Sequence, residues 1–259
     1  MSLTFLGTGT STGVPQINCD CPVCTSPDAR DKRLRASALL RVGNRTFLID
    51  AGPDLRTQLL EHPAQHIDAL LVTHSHYDHV GGIDDLRPFC HSHGREMKLP
   101  VYCTADVAGD LRSRVPYCFK THPYPGVPTF DLRDITPGIP FKAAGVEILP
   151  MQVLHWKLPI VGFRVGPLAY ITDCKTMPDA TLRALSGVDT LVINALRKEE
   201  HLSHLSLSQA LELVSMIKPR RTYLTHIAHQ MGRHAEVEPT LPEGVHLAYD
   251  GLVLDGMSL

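Results

Sequence analysis

No stretch of the 259-residue chain approaches the ~20 consecutive apolar residues that a membrane-crossing helix needs. The start from Met1 to Thr10 lacks the charged-then-apolar pattern of a secretory leader, so a soluble, cytoplasmic protein with no membrane partner is expected. Charge of one sign is also missing: 25 Lys and Arg face 27 Asp and Glu, a net charge of −2, and no basic stripe runs along any segment. Gripping a nucleic-acid polymer takes such a surplus, which makes nucleic acid an unlikely partner but leaves room for one small phosphate ester. Repeats, low-complexity segments and a linker between two cores are absent. A chain of this length can bury roughly 70–75% of the surface it exposes when unfolded, so residues 1–259 are read as one domain.

An even-numbered disulfide framework is lacking as well. Of the seven cysteines, three fall within six positions, at Cys19, Cys21 and Cys24, a pattern that suits metal binding better. Aromatics are scarce, and the 15 His outnumber the seven Phe and seven Tyr together. The one compositional excess is therefore the commonest metal ligand.

Strand-like apolar runs recur at Leu3–Leu6, Ala38–Val42, Thr46–Ile49, Ala69–Thr73, Val146–Leu149, Ile160–Val165, Leu168–Thr172, Thr190–Asn194 and Thr222–Thr225. Helical patterns fall at Asp54–Glu61, Ala105–Arg114, Asp179–Leu185 and Leu207–Ile217, the last with Ser206 as N-cap before a Leu207/Leu211/Val214 stripe. The order is not a regular βαβ alternation. Six prolines between Pro116 and Pro140 forbid a long helix and predict a surface excursion, long enough to cover a site.

Directly after the run Asp68–Val72 stands Thr73-His74-Ser75-His76-Tyr77-Asp78-His79, four ligand-capable side chains in six positions. A strand that ends there places them where they can surround adjacent metal ions, and a plain polar loop would need none of them. This HxHxDH pattern, followed by Gly81-Gly82, resembles the signature of the metallo-β-lactamase superfamily of binuclear metallohydrolases. The resemblance implies an α/β (αββα) four-layer sandwich, two mixed β-sheets packed face to face and flanked by helices. It also implies a first metal set of His74, His76 and His155, and a second of Asp78, His79, Asp173 and His226, with Asp173 bridging. His155, Asp173 and His226 each end a strand-like run. Two ions so held lower the pKa of a shared water toward ~7 and clamp the attacking and leaving oxygens, which makes that water the nucleophile. Asp78 is then both a ligand and a catalytic residue that orients the water. The ligand types admit Zn²⁺ or Mn²⁺.

Cys19-Asp20-Cys21-Pro22-Val23-Cys24 is a CxCxxC loop with three soft ligands for Zn²⁺, and a tetrahedral site needs a fourth from elsewhere. His229, three residues past His226 in Thr225-His-Ile-Ala-His-Gln230, is the natural supplier. Gly7-Thr-Gly-Thr-Ser-Thr-Gly-Val-Pro15, the cysteine loop, HSHYDH and THIAHQ together resemble the PhnP-type phosphodiesterases over nearly the whole chain. That resemblance implies one structural Zn²⁺ at the cysteine loop and hydrolysis of 5-phosphoribosyl 1,2-cyclic phosphate at the other site. It also implies that His204, before the Leu207 helix, protonates or polarises the leaving oxygen, with His201 its competitor. Arg197, Lys198 and Lys175 are cations within reach of a phosphate, though exposed charges are more often simply solvated. The segments Asp173–Thr176 and Asn194–His201 depart from the phosphonate enzyme's pattern, which bears on ribosyl specificity.

The leading expectation is a binuclear hydrolase of small cyclic phosphodiesters. Other readings are a tRNA 3′-end processing-type nuclease of the same superfamily, a pyrroloquinoline-quinone-biosynthesis-like protein, and a non-catalytic metal-binding scaffold, whose sites would be closed by protein ligands. A homodimer is compatible with all of them.

Overall fold

Side chains alternate across a strand, so a strand buried on both faces feeds two cores at once and reads as a nearly continuous apolar run. The computed structural model, which describes residues 1–90, 97–121 and 124–258, displays this directly. In β1 (Ser2–Gly7), β2 (Ser37–Val42), β3 (Arg45–Ile49) and β4 (Ala69–Leu71), the side chains of Leu3, Phe5, Leu40, Phe47, Ile49 and Leu71 enter a central core. Leu6, Leu39, Leu48 and Leu70 point the other way, into an outer core. β5 (Leu99–Cys103) and β6 (Phe130–Asp134) continue this sheet in parallel.

The second sheet is built from β7 (Phe141–Ala143), β8 (Val146–His155), β9 (Leu158–Val165), β10 (Leu168–Tyr170), β11 (Thr190–Asn194), β12 (Arg221–Thr225) and β13 (Val245–Leu247). It runs in that order from one edge to the other, and β14 (Val253–Leu254) returns to pair with β1 in the first sheet. Val161, Phe163, Val165, Tyr170 and Val192 meet the first sheet in the central core.

Helices cover both outer faces. α1 (Leu55–Glu61), α2 (Tyr77–Val80), α3 (Arg87–Cys90) and α4 (Ala105–Arg114) pack on the first sheet through Leu55, Val80, Cys90 and Leu111. α5 (Asp179–Ala184), α6 (Leu207–Ile217) and α7 (His234–Val237) pack on the second. At the start of α6, Ser206 Oγ accepts from the Gln209 amide while the Gln209 side chain accepts from the Ser206 amide, a reciprocal cap worth about 1 kcal/mol. The result is the expected layering of two mixed sheets between helices. Among the described residues no helix is long and apolar enough to cross a membrane.

Three departures have simple causes. β8 runs on to His155, well past Leu149, because β9 pairs with it from Leu149 to His155. β5, β6, β7, β13 and β14 have no counterpart in the sequence reading, being short, at or near sheet edges, or interrupted by polar residues. The proline-rich stretch is not simply an excursion: it holds a 3₁₀ turn at Pro116–Phe119 and then β6, the edge strand of the first sheet. Positions 122 and 123, including Pro123, lie outside the described residues.

Four hairpins turn through two residues, at Gly43-Asn44, Ala144-Gly145, Trp156-Lys157 and Gly166-Pro167. The first turn residue has a positive φ in all four, between 47° and 57°. Three of these turns contain the glycine that such backbone favours; the Trp156 turn does not.

Candidate metal centre

The parallel strands of both sheets end on one side of the sandwich, and the chain leaves them carrying acids and histidines. Asp50 directly follows β3, His74 lies just past β4, Asp173 just past β10 and His226 directly after β12, while His155 is the last residue of β8. α2 opens after His76 and places Asp78 and His79 on its first turns. Asp50, Asp173 and His226 sit at φ 59°, 54° and 54°. Such backbone costs a non-glycine residue on the order of 1–3 kcal/mol, a strain that clusters where side chains must be aimed. Glycine makes the approach possible: a Cβ on Gly52 would lie 2.1 Å from the Asp78 carbonyl oxygen, so only glycine lets α2 sit this close.

The ligand atoms of Asp78, His79, Asp173 and His226 lie within 4.8 Å of one another, and all four residues are buried. His79 Nε2 is 3.1 Å from Asp78 Oδ2 and 3.2 Å from Asp173 Oδ2; His226 Nε2 is 3.1 Å from Asp173 Oδ1. His74, His76 and His155 gather alongside, with ring centroids 4.6 Å apart for His74 and His76, 5.2 Å for His76 and His155, and 5.8 Å for His74 and His155. His155 also groups with Asp173 and His204, whose ligand atoms again fall within 4.8 Å. His204 Nε2–H donates to Asp173 Oδ1 at 3.0 Å, and His204 Nδ1 is 3.1 Å from His201 Nδ1. His204 thus touches the cluster, and His201 stands one ring behind it.

Burial and charge set the protonation states. Burial opposes ionisation of Asp173, yet His226 and His79 hold its carboxyl well below the usual range. Asp78 is likewise held low against burial by the His226 and His79 imidazoles beside its carboxylate. Burial would also depress His79, but Asp173 and Asp50 outweigh it and push the imidazole well above its ordinary value. Burial pushes His204 down to about 4, with Asp173 only partly offsetting it. It lowers His74 strongly, and the His79 charge adds to the effect.

His74 Nε2, His79 Nε2 and both ring nitrogens of His226 are buried with no hydrogen-bond partner among the described residues. An unpaired buried polar atom costs about 1–3 kcal/mol, and imidazole nitrogens converging with carboxylates are the donor set of a divalent metal. The residues present fit such an ion.

The cysteine loop forms a separate centre. Cys19, Cys21, Cys24 and His229 bring their ligand atoms within 4.8 Å of one another, with His229 Nδ1 3.1 Å from Cys21 Sγ and 3.4 Å from Cys19 Sγ. The His229 contact draws the Cys21 thiol down to about 6, while burial pushes Cys24 up to about 11. Three sulfurs and one imidazole suit Zn²⁺. His226 and His229 share one segment, fastened to the N-terminal loop where Ile227 N–H donates to Thr8 O and Thr10 N–H donates to Ile227 O.

The cations are placed less directly. Lys175 Nζ donates to Gln209 Oε1 at 2.8 Å and Arg197 to the Glu200 carbonyl at 2.9 Å.

A family profile described as "Beta-lactamase superfamily domain" matches residues 45–227. The chain belongs to the beta-lactamase superfamily. A solved structure titled as a new diphosphatase from the PhnP family shares 36% identity and a TM-score of 0.91 with this superfamily member, covering 98% of this chain and 96% of that one. An octanoyltransferase of Porphyromonas gingivalis (strain ATCC BAA-308 / W83) is 39% identical over 254 residues, 97% of this chain but 51% of the relative. The chain therefore spans about half the length of that protein. Coenzyme PQQ synthesis protein B of Methylobacterium radiotolerans (strain ATCC 27329 / DSM 1819 / JCM 2831 / NBRC 15690 / NCIMB 10815 / 0-1) is 38% identical over 220 residues, covering 75% and 72% of the two chains.

Sequence reasoning missed Asp50. Its Oδ2 lies 2.7 Å from His79 Nδ1, and its oxygens accept from the Thr73 amide and hydroxyl at 2.8 Å each. Burial raises its pKa, opposed by the His79 charge, and the short contact between the two fixes the imidazole. The signal was present: Asp50 ends a strand-like run just as Asp173 does. Asp50→Asn is expected to weaken metal binding at the His/Asp cluster by about 10–100-fold, read by competition with a chromogenic chelator.

Proposed function

We propose that the chain is a metal-dependent phosphoric diester hydrolase acting on small, preferably cyclic, phosphodiesters such as 5-phosphoribosyl 1,2-cyclic phosphate. The reading places two catalytic ions, Mn²⁺ or Zn²⁺, in the His/Asp cluster and one structural Zn²⁺ in the cysteine loop of a cytoplasmic protein. It is carried by the buried Asp78/His79/Asp173/His226 group with its unpaired imidazole nitrogens, set beside His204. Its kinship with a PhnP-family diphosphatase supports the phosphoryl chemistry.

Bound divalent ions supply Lewis acidity and a water that ionises near neutral pH. The chain's own residues do the rest. His74, His76 and His155 would hold one ion, and Asp78, His79, Asp173 and His226 the other. Asp50 and Thr73 keep the His79 ring in place, and His155 Nδ1–H donates to the Ser203 carbonyl at 2.9 Å, leaving Nε2 free as a ligand. Burial depresses His204, so it is neutral at working pH and carries one ring proton; its Nε2–H, which rests on Asp173 Oδ1, would turn from that carboxylate to the leaving oxygen and polarise it, as a neutral imidazole does elsewhere. The balanced charge gives long RNA little to hold.

The test is a panel on metal-defined protein: ribosyl 1,2-cyclic phosphate, cyclic nucleotides, bis(p-nitrophenyl) phosphate and precursor tRNA. A higher kcat/KM on precursor tRNA, falling steeply with salt, would replace this reading with the nuclease one. His204→Ala should lose roughly 10²-fold on alkyl leaving groups and little on p-nitrophenolate, which departs unaided. Equal losses on both would make His204 a positioning residue only.

A further inference from the structure

Trp156 is the only tryptophan of the chain, and it occupies an unfavourable place. It is the first residue of the two-residue turn between β8 and β9, where His155 pairs with Leu158. Its φ is 56°, a conformation in which a bulky side chain is a genuine outlier; at the same turn position the other three two-residue hairpins carry the small residues Gly43, Ala144 and Gly166. Its indole is not repaid by burial: the residue is 51% exposed. The one ring contact it makes is with Lys157, whose Nζ is 4.9 Å from the ring centroid, an exposed cation–π pair of small worth. A strained backbone holding a half-exposed aromatic ring is poorly repaid in stability, and strain of this kind collects at ligand-contacting positions.

The location is specific. Trp156 directly follows His155, whose ring lies 5.2 Å from His76 and 4.6 Å from His204. Tyr77, 61% exposed, directly follows His76. Two exposed aromatic residues therefore directly follow two of the cluster's histidines along the chain. Flat rings beside a phosphate site form a stacking platform, and stacking is selective for planar partners without reading their edges.

Resting on the phosphodiesterase reading above, we propose that Trp156 forms a subsite for a planar aromatic group carried by the phosphate substrate, of the nucleobase or aryl class.

As the sole tryptophan, Trp156 reports on itself. Adenosine 5′-monophosphate is expected to quench its emission saturably, and ribose 5-phosphate, with the same phosphate and no base, to leave it unchanged. By calorimetry, Trp156→Gly should bind adenosine 5′-monophosphate roughly 5- to 100-fold more weakly, with Trp156→Phe between the two. The glycine variant should also melt about 2–4 °C higher, because the turn loses its strain. Equal affinity of the wild type for the two phosphates, or failure to bind either, overturns the subsite. So does an unaltered affinity or a lower melting temperature in Trp156→Gly, the latter marking a packing residue. Emission that shifts with protein concentration and not with nucleotide would make the ring a contact between copies and overturn it too. Turnover of bis(p-nitrophenyl) phosphate without a nucleotide response removes the subsite alone; a nucleotide response without turnover of any diester removes the phosphodiesterase reading alone.

Discussion

Replacing Asp78 with alanine in metal-loaded protein is expected to lower diester turnover by about 10³-fold or more while leaving the fold intact. The size follows from removing a ligand that would also orient the attacking water, an interaction worth several kcal/mol in the transition state. The selectivity follows from what Asp78 touches. Among the described residues its carboxylate lies against the His79 and His226 imidazoles, at 3.1 and 3.5 Å, and not in a hydrophobic core. Those imidazoles hold it ionised at any working pH, so the alanine variant removes a buried charge without opening a core. Circular dichroism should match the wild type, and so should melting once metal has been stripped from both proteins. Near-wild-type turnover after full metal loading would defeat the proposed mechanism.

Cys21→Ser should do the opposite, damaging the fold first. Cys21 has the shortest contact to His229, 3.1 Å, which draws its thiol down to about 6. A hydroxyl is a far poorer ligand than a thiolate for Zn²⁺. The loop has little else to hold it: beyond Val14 and Val23, its small apolar cluster consists of the cysteines themselves. Structural Zn²⁺ contributes on the order of 10 kcal/mol in small domains. Even a third of that would lower the melting temperature of a chain this size by about 6–12 °C. The variant should carry one ion fewer per chain by elemental analysis. A wild type purified without chelators and holding no thiolate-bound metal would remove the structural-zinc proposal outright.

The site was more legible than the scaffold. Histidines spaced HxHxDH and three cysteines in six positions are chemically improbable unless they bind something, so these residues announce themselves without any structure. Helices α4 and α6 were also readable to the residue, α6 because a 3.6-residue apolar stripe behind the Ser206 cap leaves little choice. β6, by contrast, lies among prolines and alternates Phe130 and Leu132 with charged residues, because an edge strand needs only one apolar face. Asp50 escaped notice because its partner His79 is 29 residues away and no local pattern joins them. Trp156 showed only as a count of one; its meaning lies in a dihedral angle.

The two candidate metal centres differ in how far apart along the chain their ligands lie. Cys19, Cys21 and Cys24 are close neighbours before any folding, and only His229, 208 residues beyond Cys21, waits for the sandwich to close. An unfolded or nascent chain can already chelate through the three thiolates, so part of the zinc affinity is spent on the unfolded ensemble and subtracts from what the ion adds to stability. The His/Asp cluster spans both sheets, from His74 to His226, and does not exist until they dock. Loading there is restricted to the native state, and its full affinity at a given free-metal concentration appears as resistance to unfolding. Order of acquisition follows: thiolate capture can precede folding, whereas loading of the His/Asp cluster must come after it.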